Sequence, residues 1–136
     1  MSDDFIKIID ELELKVSEEK IGNASILITL QSNDQGPASI VFHRDGFDGI
    51  YDYSAEFQIR RKEPSSGNYA VVNHVKWRMK AEMRIQHVDY EMPSSFINGI
   101  DLLTVPVASY SLWAKKTSGP IQIQINNTII KATIIG

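Results

Sequence analysis

The chain has 136 residues, 43% of them hydrophobic and 23% charged, and this balance is typical of one folded globular domain. It contains no cysteine, which excludes disulfides, thiolate metal sites and a cysteine nucleophile. The acidic N-terminus lacks the basic start and apolar run of a secretory signal, and no segment reaches the roughly 20 apolar residues of a membrane-spanning helix. We therefore expect a single domain over residues 1–136, located in the cytoplasm.

The net charge is only −3, but the charges are unevenly distributed along the chain. Seven of the fourteen lysines and arginines lie between Arg60 and Arg84, where the only acids are Glu63 and Glu82. The first twenty residues instead hold seven acids against three lysines. One stretch of the folded protein should therefore be basic and another acidic.

The N-terminal segment fits two kinds of secondary structure. Phe5, Ile8, Ile9, Leu12 and Val16 have helical spacing, while the even-numbered apolar residues of the same segment fit a strand almost as well. We expect a strand over residues 11–16, with a short helical turn before it as the alternative.

The next segments alternate between apolar and polar residues, which is typical of half-buried strands. Strands are predicted over residues 24–31 and 38–44 around the turn SNDQGP, and a long hairpin is predicted from YDYSAEFQIRRK and HVKWRMKAEMRI. With the hairpin centred near Ser66 or Gly67, Glu56 lies opposite Lys76 or Arg78 and both apolar sets share one face.

The rest of the chain also favours strands. The alternation slips at residues 87–89, which predicts a bulge, and residues 102–115 hold weaker strand candidates interrupted by Pro106, with Trp113 expected in the core. Asn126 and Asn127 suit a tight turn between two isoleucine-rich strands. The expected fold is all-β, an antiparallel β-sandwich or closed β-barrel of about 7–9 strands.

The leading functional hypothesis is a non-catalytic module that works by recognition or self-assembly. Its binding surface would be the charged face of the long hairpin, made by Arg60, Lys76, Arg78, Lys80 and Arg84. The expected partner is a protein with an acidic surface, or another copy of this chain. Nucleic acid is disfavoured because alternation places the aromatic residues of this hairpin on its opposite, apolar face, where no base could stack.

Two alternatives belong to other functional classes. A barrel could hold an apolar small molecule among Tyr53, Phe57, Trp77, Met79 and Met83, where the methionines would pack adaptably. An acid–base or metal-assisted enzyme could use the loop that carries His43, Asp45 and Asp48. The Asp-Gly pairs of that loop are better explained as turn chemistry, and no common hydrolase or nucleotide-binding motif occurs. We therefore predict no cofactor, no metal and no catalytic residues.

Overall fold

The computed structural model describes residues 4–17, 21–22, 25–45, 49–63, 67–83, 87–117 and 121–135, with the side chains of 44–45, 49–53, 79–83, 87–90 and 121 outside the description. The described residues form ten strands and one short 3₁₀ turn, Ser94–Phe96. In chain order the strands are β1 Ile6–Lys15, β2 Ser25–Ser32, β3 Ser39–Asp45, β4 Gly49–Lys62, β5 Tyr69–Met83, β6 His87–Pro93, β7 Asn98–Leu102, β8 Val107–Lys116, β9 Ile121–Asn126 and β10 Thr128–Ile135.

All the strand pairs are antiparallel, so the predicted all-β class is confirmed, with ten strands rather than 7–9. The predicted helical turn at the N-terminus is wrong for residues 4–17, because β1 begins at Ile6. No helix in the described ranges has the length and hydrophobicity needed to cross a membrane.

One layer is a four-stranded sheet with the order β1-β8-β4-β5. The long hairpin β4–β5 has the predicted register, because Glu56 lies directly opposite Lys76. A backbone bond from Gly67 N to Glu63 O closes the turn, and Gly67 supplies the positive φ of 71° that residues with a side chain rarely adopt. Alternation therefore assigned the described side chains of residues 54–59 and 75–78 to the correct faces of this hairpin.

The second layer consists of two three-stranded sheets, ordered β10-β2-β7 and β6-β3-β9. Three stretches of chain pass from one of these sheets to the other, and each is interrupted once on the way: β2–β3 at residues 33–38, β6–β7 at residues 94–97, and β9–β10 at Asn127. The layer is therefore a long three-stranded ribbon that bends where the three interruptions lie side by side.

The predicted hairpin at Asn126-Asn127 is wrong. β9 pairs with β3 and β10 pairs with β2, so the two strands follow one another along the ribbon instead of pairing. Asn127 does adopt a positive φ, 52°, and its carbonyl accepts a bond of 2.9 Å from Asn33 N across the break. The positive φ of Asn127 therefore produces a bend where the chain passes from one sheet to the other.

The two layers bury one apolar cluster between them. Phe42 of β3 lies at its centre, stacked on Trp77 with ring centroids 4.3 Å apart and edge-on to Phe57 at 6.2 Å. Phe57 also meets Phe96 edge-on at 5.9 Å. The three sheets face one another as a sandwich, so the alternative of a closed barrel is wrong.

A buried polar cluster ties the layers together. Arg61 of β4 donates two bonds of 2.7 and 2.9 Å to the Asp101 carboxylate of β7, and the Tyr110 hydroxyl of β8 donates a third of 2.9 Å. Burial, followed by the bond to Asp101, raises the pKa of Tyr110 well above its usual value. The hydroxyl therefore stays protonated and acts as a fixed donor.

Candidate functional site

The outer face of the four-stranded sheet, which we call the basic face, carries most of the charged side chains expected to mediate recognition. Among the residues described there, seven are basic and three acidic: Lys7, Lys15, Arg60, Lys62, Lys76, Arg78 and Lys115, with Glu11, Glu13 and Glu56. The strand pairings place all of these except Glu11, which its bonds to Lys7 and Tyr69 place on the same face. This excess gives the face a net positive charge, although the whole chain is negative.

The centre of the basic face is covered by aromatic rings. The Arg60 guanidinium lies 4.3 Å from the ring centre of Trp113 and 5.1 Å from that of Phe5, and it donates a 2.8 Å bond to Gln58 Oε1. Only 7% of Arg60 is exposed, because the segment before β1 lays Phe5 over it. A cation held between rings in this way fixes both of them.

A second network anchors the sheet edge at β1. Glu11 accepts bonds from Lys7 at 2.7 Å and from the Tyr69 hydroxyl at 2.6 Å. These hydrogen bonds, that from Lys7 first, lower the pKa of Glu11 from 4.5 to about 2, and the bond to Glu11 raises the pKa of Lys7. Tyr69 also meets the ring of Trp113 edge-on at 5.1 Å, so the two networks join.

A cleft opens in the basic face where β8 ends; we call it the Thr117 cleft. It has a volume of about 480 Å³ and is lined by Ser54, Ala55, Glu56, Lys76, Trp77, Arg78 and Thr117. Lys76 and Arg78 are exposed, and the Thr117 hydroxyl donates to Ser54 Oγ at 2.7 Å. Glu56 is hydrogen-bonded to His74 Nε2 at 2.7 Å. The cleft therefore presents two cationic side chains, which are groups that bind anions.

The predicted charged face is present, but its members differ in accessibility. Lys76 and Arg78 are exposed and line the Thr117 cleft. Arg60, expected to be an exposed binding residue, is buried against Trp113 and instead supports the face from within. The side chain of Lys80 and the whole of Arg84 lie outside the described residues.

The predicted interior pocket receives no support from the two of its members whose side chains are described. Phe57 is fully buried against Phe42 and Phe96, and Trp77 is stacked on Phe42. The side chains of Tyr53, Met79 and Met83 are not described. An apolar cleft of about 410 Å³ occurs elsewhere, between β1 and β9, and it is lined by Asp4, Ile6, Ile8, Ala114, Lys115, Lys116, Gln122 and Ile123.

The predicted acid–base or metal loop is only partly described. His43 lines a shallow cleft with Val41, Gln122 and neighbouring residues of β9, while the Asp45 side chain and Asp48 lie outside the description. The described residues contain no group of three histidines and carboxylates that could hold a metal ion.

The aromatic residues of the basic face were missed by the sequence analysis. Trp113, expected in the core, lies on the outer side of β8, while its neighbours Leu112 and Ala114 point into the core. The alternation of β8 between Ala108 and Ala114 would have placed it there. Phe5 and Tyr69 had no such signal, because their positions depend on the path of the N-terminal segment and on a bulge in β5.

Comparison of the chain with protein-family models, with curated proteins and with solved structures gave no match. Function must therefore be argued from the geometry of this chain alone.

Proposed function

We propose that this protein is a non-catalytic recognition module that binds an acidic protein surface through its basic face. The observation that carries the proposal is the Thr117 cleft, where the exposed Lys76 and Arg78 stand beside the hydroxyls of Ser54 and Thr117. The two neighbouring cations suit carboxylates, which accept charge-assisted hydrogen bonds from ammonium and guanidinium groups.

Preorganisation supports a binding role. The cation–aromatic contacts of Arg60 and the bonds to Glu11 fix the centre of the basic face. At the cleft itself, the bond from Thr117 to Ser54 and that between Glu56 and His74 are formed before any partner arrives. A surface that is already ordered loses little conformational freedom on binding, so more of its interaction energy becomes affinity.

The covered rings argue against base stacking as the binding mode. Phe5 and Trp113 lie on the same face as the cations, so not all the aromatic rings of this sheet point inward. Arg60 nevertheless occupies the space between these two rings, so a base would have to displace it. An acidic protein needs only the exposed cations.

Binding of a fluorescein-labelled oligoglutamate peptide, measured by fluorescence anisotropy at increasing sodium chloride, tests the proposal. We expect Lys76→Gln with Arg78→Gln to weaken binding about tenfold, which is about 1.4 kcal/mol. Lys131→Gln removes one positive charge at an exposed site on the other layer, so it is the matched control for each of the single variants Lys76→Gln and Arg78→Gln. If Lys131→Gln weakens binding as much as either single variant, or if binding ignores salt, the proposal is refuted.

Light scattering decides whether the acidic partner is another copy of this chain. If the acidic N-terminal region mediates self-association, the molar mass measured at low salt should exceed that of a monomer. This increase should be absent in the double variant of Lys76 and Arg78. A salt-insensitive monomer that still binds oligoglutamate would restrict the proposal to a different protein as partner.

A further inference from the structure

The Glu56 carboxylate lies among the cations of the basic face. In the strand register it is directly opposite Lys76 of β5 and Lys115 of β8, one on each side of β4. Its side chain is 19% exposed and lines the Thr117 cleft. A negative charge at this place weakens the attraction that the two lysines exert on the carboxylates of a partner. The net charge of Glu56 and the group bonded to it should therefore control the affinity of the cleft for an acidic protein.

The group bonded to Glu56 is the imidazole of His74. Nε2 of His74 donates to Glu56 Oε1 at 2.7 Å, and the Phe5 ring stands edge-on to the imidazole at 5.9 Å. Nδ1 lies 3.4 Å from the Gln58 amide nitrogen, which is a long contact. Because the His74 side chain is 35% exposed, Nδ1 can exchange this contact for water and take up a proton from solvent. The bond to Glu56 is kept, since it uses the other ring nitrogen.

Protonation of His74 changes the charge of this pair. The pair carries one negative charge when the imidazole is neutral, and no net charge when the imidazole is protonated. Asp4, which precedes Phe5, lines the cleft between β1 and β9. Glu11, with a pKa of about 2, stays ionised over the range in which histidines titrate. Besides the pair, the charged and titratable groups of the basic face include Arg60 and Lys62 of β4, Tyr69, Lys76 and Arg78 of β5, Lys115 of β8, and Lys7, Glu11, Glu13 and Lys15 of β1.

We propose that the Glu56–His74 pair is a pH-sensitive switch of the basic face, in which protonation of His74 cancels the charge of Glu56 and strengthens the binding of an acidic partner at the Thr117 cleft. This inference rests on the proposed function and specifies its regulation. Histidines change charge between about pH 5 and pH 8, whereas the glutamates of a partner titrate at about 4.3. Between about pH 8 and about pH 6, the change in affinity should therefore come from the protein and not from the partner.

Binding of the labelled oligoglutamate peptide at low salt, measured by fluorescence anisotropy at about pH 8 and about pH 6, tests the switch. We expect the unmodified protein to bind about threefold more tightly at the lower pH, a modest gain because the added charge acts across a solvated surface. His74→Gln keeps a neutral side chain that can donate to Glu56, so it should lose most of this gain and bind at the weaker level at both pH values. A gain that is the same in His74→Gln and in the unmodified protein would overturn the inference.

Two further variants identify the groups responsible. Glu56→Gln removes the charge that the proton cancels, so at about pH 8 it should bind at least as tightly as the unmodified protein does at about pH 6. His43→Gln is the matched control, because it removes a histidine of the other layer and should keep the gain. If Glu56→Gln binds like the unmodified protein at the higher pH, or if His43→Gln loses the gain, the switch does not lie at Glu56 and His74.

Proton uptake on binding provides a second readout. Because binding and protonation are reciprocally linked, the peptide should increase the protonated fraction of His74. Calorimetric titrations at about pH 7 in two buffers of different ionisation enthalpy measure this uptake, which for a threefold coupling reaches at most about a quarter of a proton per peptide. Uptake that does not fall in His74→Gln would contradict the switch.

Failure of the switch is distinguishable from failure of the binding site itself. Salt-dependent binding with the same response to pH in the unmodified protein and in His74→Gln would remove the switch and leave the proposed function intact. Absence of binding by the unmodified protein at low salt and at both pH values would refute the proposed function as well.

Discussion

The cluster of Arg61, Asp101 and Tyr110 should contribute more to stability than any other polar contact described between the layers. Asp101 accepts two bonds from Arg61 and one from Tyr110, and the side chains of Asp101 and Arg61 are only 11% and 19% exposed. Replacing Asp101 by alanine removes all three acceptor contacts. It also leaves the Arg61 charge largely buried, with the longer contact of 3.5 Å to Glu63 as its remaining described ion pair.

The expected cost follows from these contacts. Breaking a fully buried ion pair costs about 3 to 5 kcal/mol, and the residual exposure of Arg61 places Asp101→Ala near the lower limit, at about 3 kcal/mol. Tyr110→Phe removes one hydrogen bond to a charged group and should cost about 1.5 kcal/mol. Because the hydroxyl acts through Asp101, the double variant should be only slightly less stable than Asp101→Ala alone.

Equilibrium urea unfolding followed by tryptophan fluorescence measures all three variants, provided that the m value stays constant. Asp10→Ala is the matched control, because Asp10 is an exposed carboxylate of β1 and its loss should change stability by less than about 0.5 kcal/mol. The reasoning is refuted if Asp101→Ala costs less than about 1 kcal/mol, or if the effects at Asp101 and Tyr110 simply add.

Three further predictions test other parts of the structure. Since bonds from Lys7 and Tyr69 lower the pKa of Glu11 from 4.5 to about 2, their stabilisation is complete above pH 4.5 and is lost as the pH falls toward 2. In urea titrations, the free energy of unfolding should fall by about 1 kcal/mol over this pH range because of Glu11, and Glu11→Gln should abolish that fall. Trp77→Ala should cost about 2 to 3 kcal/mol in the same assay, because this half-buried residue stacks its ring on Phe42. Asn127→Val should lower the melting temperature through its positive φ, while Asn127→Gly should leave it nearly unchanged.

The sequence predicted the four-stranded layer best where alternation is long and the turn is local. Over β4 and β5 the period of two fixes which side chains point inward, and the short turn fixes the register, so the pairing of Glu56 with Lys76 followed. The irregularity between Ile59 and Arg60 lies between the turn and this pair, where the extra residue Val72 of β5 shifts the register by one and so brings Glu56 opposite Lys76.

The second layer could not be predicted in the same way. Alternation identified β2, β3, β9 and β10 as strands, but it carries no information about which strands pair over long distances. A short turn sequence is compatible with a hairpin and also with a bend in a continuing ribbon, as at Asn127. The choice between these depends on the partners β3 and β2, which are far away in sequence.

The candidate site was predicted in part for a related reason. The alternation of side chains along β4 and β5 assigns Arg60, Lys76 and Arg78 to one face, and the structure confirms that they share it. Alternation does not show whether another segment covers that face. Phe5 lies over Arg60, and two irregularities in β1 bring Lys7 close to Glu11, so burial at the centre arises from an edge strand that the alternation of β4 and β5 cannot reveal.

The distribution of exposure over the basic face has a consequence for recognition. At its centre Arg60 is 7% exposed and Lys7 is partly covered, whereas Lys76 and Arg78 are exposed to solvent in the cleft where β8 ends. Charges screened by rings and counter-charges steer a partner weakly, while exposed cations can both attract a partner and bind it. The covered centre therefore acts as a scaffold, and selectivity for a partner should be governed by the exposed cations near the end of β8.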